Sequence, residues 1–453
     1  MKKRIGIAVA AFVTALILIL KPFSLDLMQT VTLAAVACVI VCWTFDLGPK
    51  WVSSIVLIGV LLIVGTAPAK TVLSFPLSAT FPMIVLCYLF SRGIRNSGVT
   101  KALIDPLLVK FGNTPIKVLA IMIASLFVGI KLIPQPLVRL IMLAEIFGDY
   151  LDRVHVDAIV KEILLYALFE FYIIVNAGLL SADIIFNTTT VGFAGVGISE
   201  SQWAKLMLLP TLVYLSISVI VYCFAFRKVM FGTRFTQPED VVEKRLSLKQ
   251  KELVAIVMVT IVLWMSKPLH GISENVVTLI AVATMFAIGF LKPSDYNCID
   301  IGTLVFLSAA YAIGGSLTAS GIASQTFAAL DIRFPSDFSV SFVLLIVITS
   351  MALHLVLGSN TTTLSIAIPA FISLCGNTIS PTILTLLVYM SLIPHHVLPY
   401  HCVGMAIGVG NGYFKSKMVA KVGLIMTILI FVAVFSIYIP WWRILGQIPP
   451  IIF

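Results

Sequence analysis

The sequence predicts an all-α polytopic membrane protein of about 11 transmembrane helices plus two re-entrant hairpins, arranged in two inverted-topology repeats. Three observations carry this. Apolar residues make up 60% of the 453 residues and charged residues only 11%, against about 25% charged in soluble domains. Apolar stretches of the length a bilayer core requires follow one another along the whole chain. The second half of the chain repeats the order of features of the first. So few charges could not cover a soluble surface of this size, which excludes a soluble enzyme, a secreted disulfide scaffold and a nucleic-acid reader. The formal net charge of +10 is assigned to loop lysines and arginines facing the cytoplasm, not to a polyanionic partner.

Residues 1–27 form an N-terminal span, apolar over 5–20 behind Met1-Lys2-Lys3-Arg4. The run is long, lacks a clear small-x-small cleavage site and is followed at once by another apolar segment, so it reads as an uncleaved span and not as a signal peptide. Residues 28–228 make the first repeat, with spans at 29–45, 51–66, 78–97, 161–187 and 204–226. Residues 229–251 make a charged cytoplasmic linker. Residues 252–453 make the second repeat, with spans at 252–267, 274–291, 302–322, 380–411 and 419–440. Two apolar stretches, 115–146 and 338–374, are too long for one span and break in the middle, at Ile133-Pro134-Gln135-Pro136 and at Gly358-Ser359-Asn360-Thr361-Thr362-Thr363. A helix that enters, breaks and leaves on the same side fits both. Unwound backbone at membrane depth is tolerated only where protein or a water-filled cavity surrounds it.

With the N-terminus cytoplasmic and the C-terminus outside, 22 of the 30 Lys and Arg fall on the cytoplasmic side and 6 outside, with Lys131 and Arg139 inside the first hairpin. That is the asymmetry of a multi-pass inner-membrane protein. The repeat is visible in the residues. Trp43 and Trp264 align, as do CYLFSRGIRNSGV at 87–99 and AYAIGGSLTASGI at 310–322. The offset drifts from 221 at the tryptophans to 223 at Ser97/Ser320 and about 225 at the two breaks. Each repeat holds an odd number of spans, so the two halves lie in opposite orientations.

Inverted repeats with broken helices meeting near the midplane are a secondary-transporter layout. A helix broken in mid-membrane offers free N–H groups to an anion on one half and free carbonyls to a cation on the other. Ser359, Asn360 and Thr361 supply neutral hydroxyls and an amide between them, and Thr362 and Thr363 extend the polar strip.

The Ser359-Asn360-Thr361 run, followed by an apolar stretch and Pro369, resembles the Ser-Asn-Thr hairpin signature of the divalent-anion/sodium symporter family. Ile301-Gly302-Thr303-Leu304 with Ser320-Gly321, Gly197-Ile198-Ser199 with Trp203 and Pro210, and Gly410-Asn411-Gly412-Tyr413-Phe414-Lys415 are similar to other stretches of that family, and the likeness covers nearly the whole chain. The resemblance implies a secondary active transporter of a small divalent anion (a dicarboxylate, citrate-like or sulfate-like), sodium-coupled, working by elevator-type alternating access as a homodimer and not as an enzyme. It implies Ser359, Asn360 and Thr361 as ligands to both substrate and sodium, with Thr362 and Cys402 helping to hold the cation. Asn176 lies at the expected break in span 5, within Asn176–Asn187, and Pro399 and His401 at that in span 10, within Pro394–Gly404. The main departure is the first hairpin, where Pro134-Gln135-Pro136 stands in place of Ser-Asn-Thr and leaves Gln135 as the polar side chain. Lys131 and Arg139 lie beside it. One of these cations replaces a lost sodium or meets the substrate carboxylate, or else both pair with Glu145 or Glu170 or snorkel towards the cytoplasm. A proton-coupled carrier or an exchanger on the same fold, a transport-inactive sensor and a membrane-embedded enzyme built on His395, His396 and His401 are the alternatives. Glu170 and Asp183 are candidate proton carriers or helix-end groups. Trp441 and Trp442 read as an interfacial anchor. The seven cysteines show no metal spacing and read as packing residues.

Overall fold

The computed structural model describes residues 2–449 apart from 46, 134, 237–245, 323–324, 326–334, 336, 358–359 and 376–377. The charged run of the linker and Ser359 therefore lie outside the described residues. Among the described residues there is no β-strand.

Short helical turns aside, the chain runs α1 (Lys2–Leu20), α2 (Leu27–Thr44), α3 (Lys50–Ile63), α4 (Thr80–Ser97) and α5 (Val99–Phe111). The first hairpin is α6 (Pro115–Leu132) and α7 (Pro136–Arg153). Span 5 is α8 (Ala158–Ala177), then a 3-10 turn (Leu180–Asp183), then α9 (Phe186–Phe193). Then come α10 (Glu200–Ala225), α11 (Leu248–Met265), α12 (Glu274–Ile288) and α13 (Ile301–Ala319). The second hairpin is α14 (Val340–Leu357) and α15 (Asn360–Cys375). Span 10 is α16 (Pro381–Leu392), a 3-10 turn (Pro399–His401) and α17 (Val403–Gly410). The chain ends in α18 (Ser416–Ala433), prolonged through a π turn to Ile444. At 1.5 Å per residue the 26 residues of α10 span about 39 Å, more than the hydrocarbon core of about 30 Å.

The helix starts are written in the sequence. Asp26 and Gln29 form a capping box at α2, with Gln29 N donating to Asp26 Oδ1 at 2.7 Å and Asp26 N to Gln29 Oε1 at 3.0 Å. Ser247 and Gln250 do the same at α11, at 3.2 and 3.0 Å. These boxes satisfy donors that helix ends otherwise leave unpaired. They lie 221 residues apart, the offset read at the tryptophans. Each glutamine also reaches into the other half of the chain. Gln29 Nε2 donates to Ser320 O at 2.8 Å, and Gln250 Nε2 donates to Ser97 O at 3.2 Å. Two bonds between halves thus exchange equivalent residues.

One helix was not expected. Residues 99–111 form α5, which has apolar Leu103, Leu107 and Phe111 exposed on one side. It is tied to the base of the first hairpin by Lys101–Asp149 at 2.9 Å and by Arg153–Asp105.

At the centre stand α8 and α16. From Ile163 to Ala177 and from Ile383 to Leu392 every residue is buried. A helix that is apolar all round belongs inside, and these two carry both breaks. Trp442 is also buried, and its Nε1 donates to Leu206 O at 3.0 Å, while Trp441 Nε1 donates to Lys205 O at 3.0 Å. Trp442 therefore clamps the end of the chain to α10, and the interfacial reading does not suit it.

Candidate functional site

A cavity of about 530 Å³ lies between the hairpin tips and the two breaks. That is within the roughly 300–1,000 Å³ of small-molecule sites. Six helix starts reach it: Gln135 and Pro136 at α7, Asn360 and Thr361 at α15, Ile185 and Phe186 at α9, Cys402 and Val403 at α17, Pro49 and Lys50 at α3, and Asp300 and Gly302 at α13. Helix N-termini carry the positive end of the peptide dipole, so their convergence favours an anion. Asn176, at the last turn of α8, and His401 also face the cavity.

Two carboxylates line it, Asp183 and Asp300, and both are engaged as helix caps. Asp183 Oδ1 accepts from Phe186 N at 3.0 Å, and Asp300 accepts from Thr303 N at 3.0 Å and from the Thr303 hydroxyl. Lys50 is the lysine among the lining residues; its Nζ sits 5.3 Å from the centre of the Phe306 ring.

Gln135 is more constrained than its sequence position suggested. Its side-chain oxygen caps α7 by accepting from Val138 N, and its backbone N–H donates to Ser91 Oγ at 3.1 Å. Tyr88, another lining residue, interacts with Gln135 and Thr303. In the second hairpin the Asn360 Oδ1 and the Thr362 Oγ1 are buried with no partner among the described residues. Orphaned oxygens at the second hairpin suit a small cation, since a buried acceptor left unpaired is costly.

Of the residues singled out in the sequence, Gln135, Asn176, Asn360, Thr361, His401 and Cys402 line the cavity. Pro399 and Thr362 do not, and Ser359 lies outside the described residues. Arg139 does not line it either. It is wholly buried, its guanidinium donating to Ile133 O at 2.8 Å, Asn176 Oδ1 at 2.7 Å and Ala182 O at 2.7 Å. Its direct contact with substrate, entertained from sequence, is not what the geometry offers. Pairing of Lys131 and Arg139 with Glu145 or Glu170 does not occur. Lys131 donates to Ser181 Oγ at 2.9 Å and stands 4.0 Å from Glu200, Glu145 stands 3.5 Å from Arg95, and Glu170 accepts from Tyr166 and meets His396 Nε2, both at 2.9 Å.

His354 escaped the sequence reading, because a single histidine inside an apolar run reads as packing. It is buried in the inbound arm of the second hairpin, with ring centres 4.8 Å from His401 and 5.4 Å from His395. Its Nε2 lies 3.3 Å from His401 O.

Buried polar bonds stitch the broken elements into one body. Arg139 joins the first hairpin to span 5, and His354 joins the second hairpin to span 10. Glu170–His396 and Asn187–Tyr389, the latter at 2.6 Å, join span 5 to span 10.

An all-helical membrane chain with six helix starts around a central cavity has the build of an anion carrier. The model of the sodium:sulfate symporter transmembrane region matches residues 2–448, and the chain belongs to that family. It is a secondary anion transporter. A search of the curated proteins finds no significant match.

Proposed function

We propose that the protein moves a small divalent anion, a dicarboxylate, citrate-like or sulfate-like, coupled to sodium held at the second hairpin. The observation that carries this is the one cavity shared by Gln135, Asn360, Thr361 and six helix N-termini. Asn360, Thr361 and the N–H groups of α15 and α17 hold the anion; Gln135 and Asn176 orient it from the opposite side. Ser359 joins this set on the resemblance of its motif. Asn360 Oδ1 and the Thr362 hydroxyl, both buried without partners among the described residues, hold the sodium, with Cys402 beside them.

The halves are inverted repeats, as the exchanged Gln29–Ser320 and Gln250–Ser97 bonds support. The topology read from charge puts Pro49, Lys50 and Asp300 at the cytoplasmic side. The cavity reaches all three, which corresponds to an inward-facing state. Hairpins, span 5 and span 10 move together as an elevator against the remaining helices, and the buried bonds joining them favour a rigid unit. The protein works as a homodimer in the inner membrane, N-terminus cytoplasmic and C-terminus outside.

One observation favours a second reading, proton coupling: His354, His395 and His401 crowd together beside the cavity. A thermal-shift panel separates the two. Succinate, citrate, sulfate and phosphate are each added in sodium and in choline at fixed pH. Stabilisation by a ligand at a hundred times its Kd is about 2.7 kcal/mol. The symporter reading expects one of these anions to raise the melting temperature more in sodium than in choline. Equal shifts in both salts would reject sodium coupling, and no shift with any anion would reject the substrate class.

A further inference from the structure

We propose that the Arg139 guanidinium is a built-in cation that fills the oxygen cage at the first hairpin, so that no mobile sodium enters there. The inference rests on the sodium-coupled reading for its consequence, but its geometry stands apart from it. The half-helices α6 and α8 end close together, and their last carbonyls carry the negative ends of the peptide dipoles. In a transporter such ends ligate the coupling ion. Here Ile133 O at the end of α6, Asn176 Oδ1 in the last turn of α8 and Ala182 O in the following 3-10 turn all point at one group. That group is Arg139, at 0% exposure.

Arg139 has no ion pair with a carboxylate among the described residues. Asp183, committed to capping α9, is the acid whose charge reaches it. A buried charge without a close counter-charge is costly and is retained where it has a task. The three oxygens supply the compensation that a metal cation would otherwise draw from them. Room for the side chain comes from Gly129, where an added Cβ would stand 2.7 Å from Arg139 Cδ.

Among the described residues the second repeat shows no such arrangement. At the offset of about 225 read at the two breaks, Leu364 takes the place of Arg139 and His354 the place of Gly129. Leu364 is apolar and buried, and the nearby Asn360 Oδ1 and Thr362 Oγ1 have no partner among the described residues. The first hairpin carries a tethered cation where the equivalent position of the second carries an apolar side chain. The residues at the first hairpin thus do not fit a sodium ion, and no transport step runs through one there. Because Arg139 touches the hairpin and the break but not the cavity, it is a positioning residue that also supplies fixed charge.

The test counts sodium. Radiolabelled sodium binding to the purified, full-length protein with succinate or sulfate present is expected to saturate at no more than one ion per chain. Two ions would overturn the proposal. No bound sodium would leave the closed first cage standing and would instead defeat sodium coupling, so the two failures are distinguishable. Arg139→Ala is expected to melt at a lower temperature, to regain part of the loss in methylguanidinium, and to gain a second, sodium-specific stabilisation absent from the wild type. A purely structural brace would not bring that added sodium response. An Arg139→Ala protein that is as stable as wild type, or that responds to neither cation, would overturn the proposal. If Arg139→Ala does not fold, Arg139→Lys keeps the charge and is expected to keep the wild-type sodium count; a rise by one ion would overturn it.

Discussion

The side chains with most consequence are those that have lost their water without finding a full set of partners. Asn360 is the plainest case, its oxygen orphaned and its residue at both a helix start and the cavity wall. A hydrogen bond donated by the Asn360 amide NH2 to a charged anion contributes about 1.5–3 kcal/mol, so Asn360→Ala is expected to weaken anion binding roughly tenfold to a hundredfold. Isothermal titration with the anion found in the thermal-shift panel checks this; unchanged affinity would remove Asn360 from the site. Asp295 illustrates a purely structural charge, on the loop between α12 and α13. The bond from Arg92 Nε, at 2.7 Å, holds its carboxyl below the ordinary carboxylate range, helped by Lys292 N and Asn96. A depressed folded-state pKa contributes stability above the unfolded value of about 4, which is lost as pH falls through the folded value. Asp295→Asn is therefore expected to melt below wild type at pH 7, and the gap to close as both are acidified past the carboxylate range. A gap independent of pH would show that the ion pair is not the cause. The sequence made Asn360 legible because its neighbours form a motif. It hid Arg139's partners, since the carbonyls of Ile133 and Ala182 have no signature in residue type.

At the scale of elements, breaks were easier to read than contacts. Pro136 and the prolines at 394 and 399 mark where a helix must stop, because proline removes an N–H and crowds the preceding turn. The structure ends α16 at Leu392 and restarts at Val403. The helix α5 was missed because it is short, contains Pro106 and is apolar on one side only, below the threshold of a spanning signal. The close approach of α18 to the span 10 break was also invisible, since it depends on one glycine. A Cβ on Gly423 would stand 1.8 Å from His396 O and 3.4 Å from Val397 Cα. The carbonyl is backbone and cannot yield without moving the segment that carries His396 and, further on, His401. Gly423→Ala is expected to lower the melting temperature and to impair anion uptake in proteoliposomes. Strain or overpacking of this kind typically costs about 1–3 kcal/mol. A variant with wild-type stability and uptake would show that α18 packs less closely than described.

Over the whole molecule, composition pointed to the class, an all-helical membrane protein, and the internal repeat proposed a layout of two inverted halves. The pairs of contacts that join the halves fit that layout. Gln29 with Ser320, and Gln250 with Ser97, link residues that the charge-derived topology puts on one side in each case. What the sequence left out is how the broken elements lock together. That depends on bonds between residues far apart in the chain, such as Asn187 with Tyr389 and Glu170 with His396. The anion's identity was out of reach for a related reason. It is set by the shape of a cavity whose walls come from both repeats. The central claim is that the two hairpin tips hold one negatively charged solute between them. Its most direct measurement is substrate protection of Gln135→Cys and Thr361→Cys, made one at a time in a background lacking the seven native cysteines, against a hydrophilic thiol reagent. The account expects the same anion to protect both positions, each with the same half-saturating concentration. Protection at one tip alone, or at widely different concentrations, would contradict it.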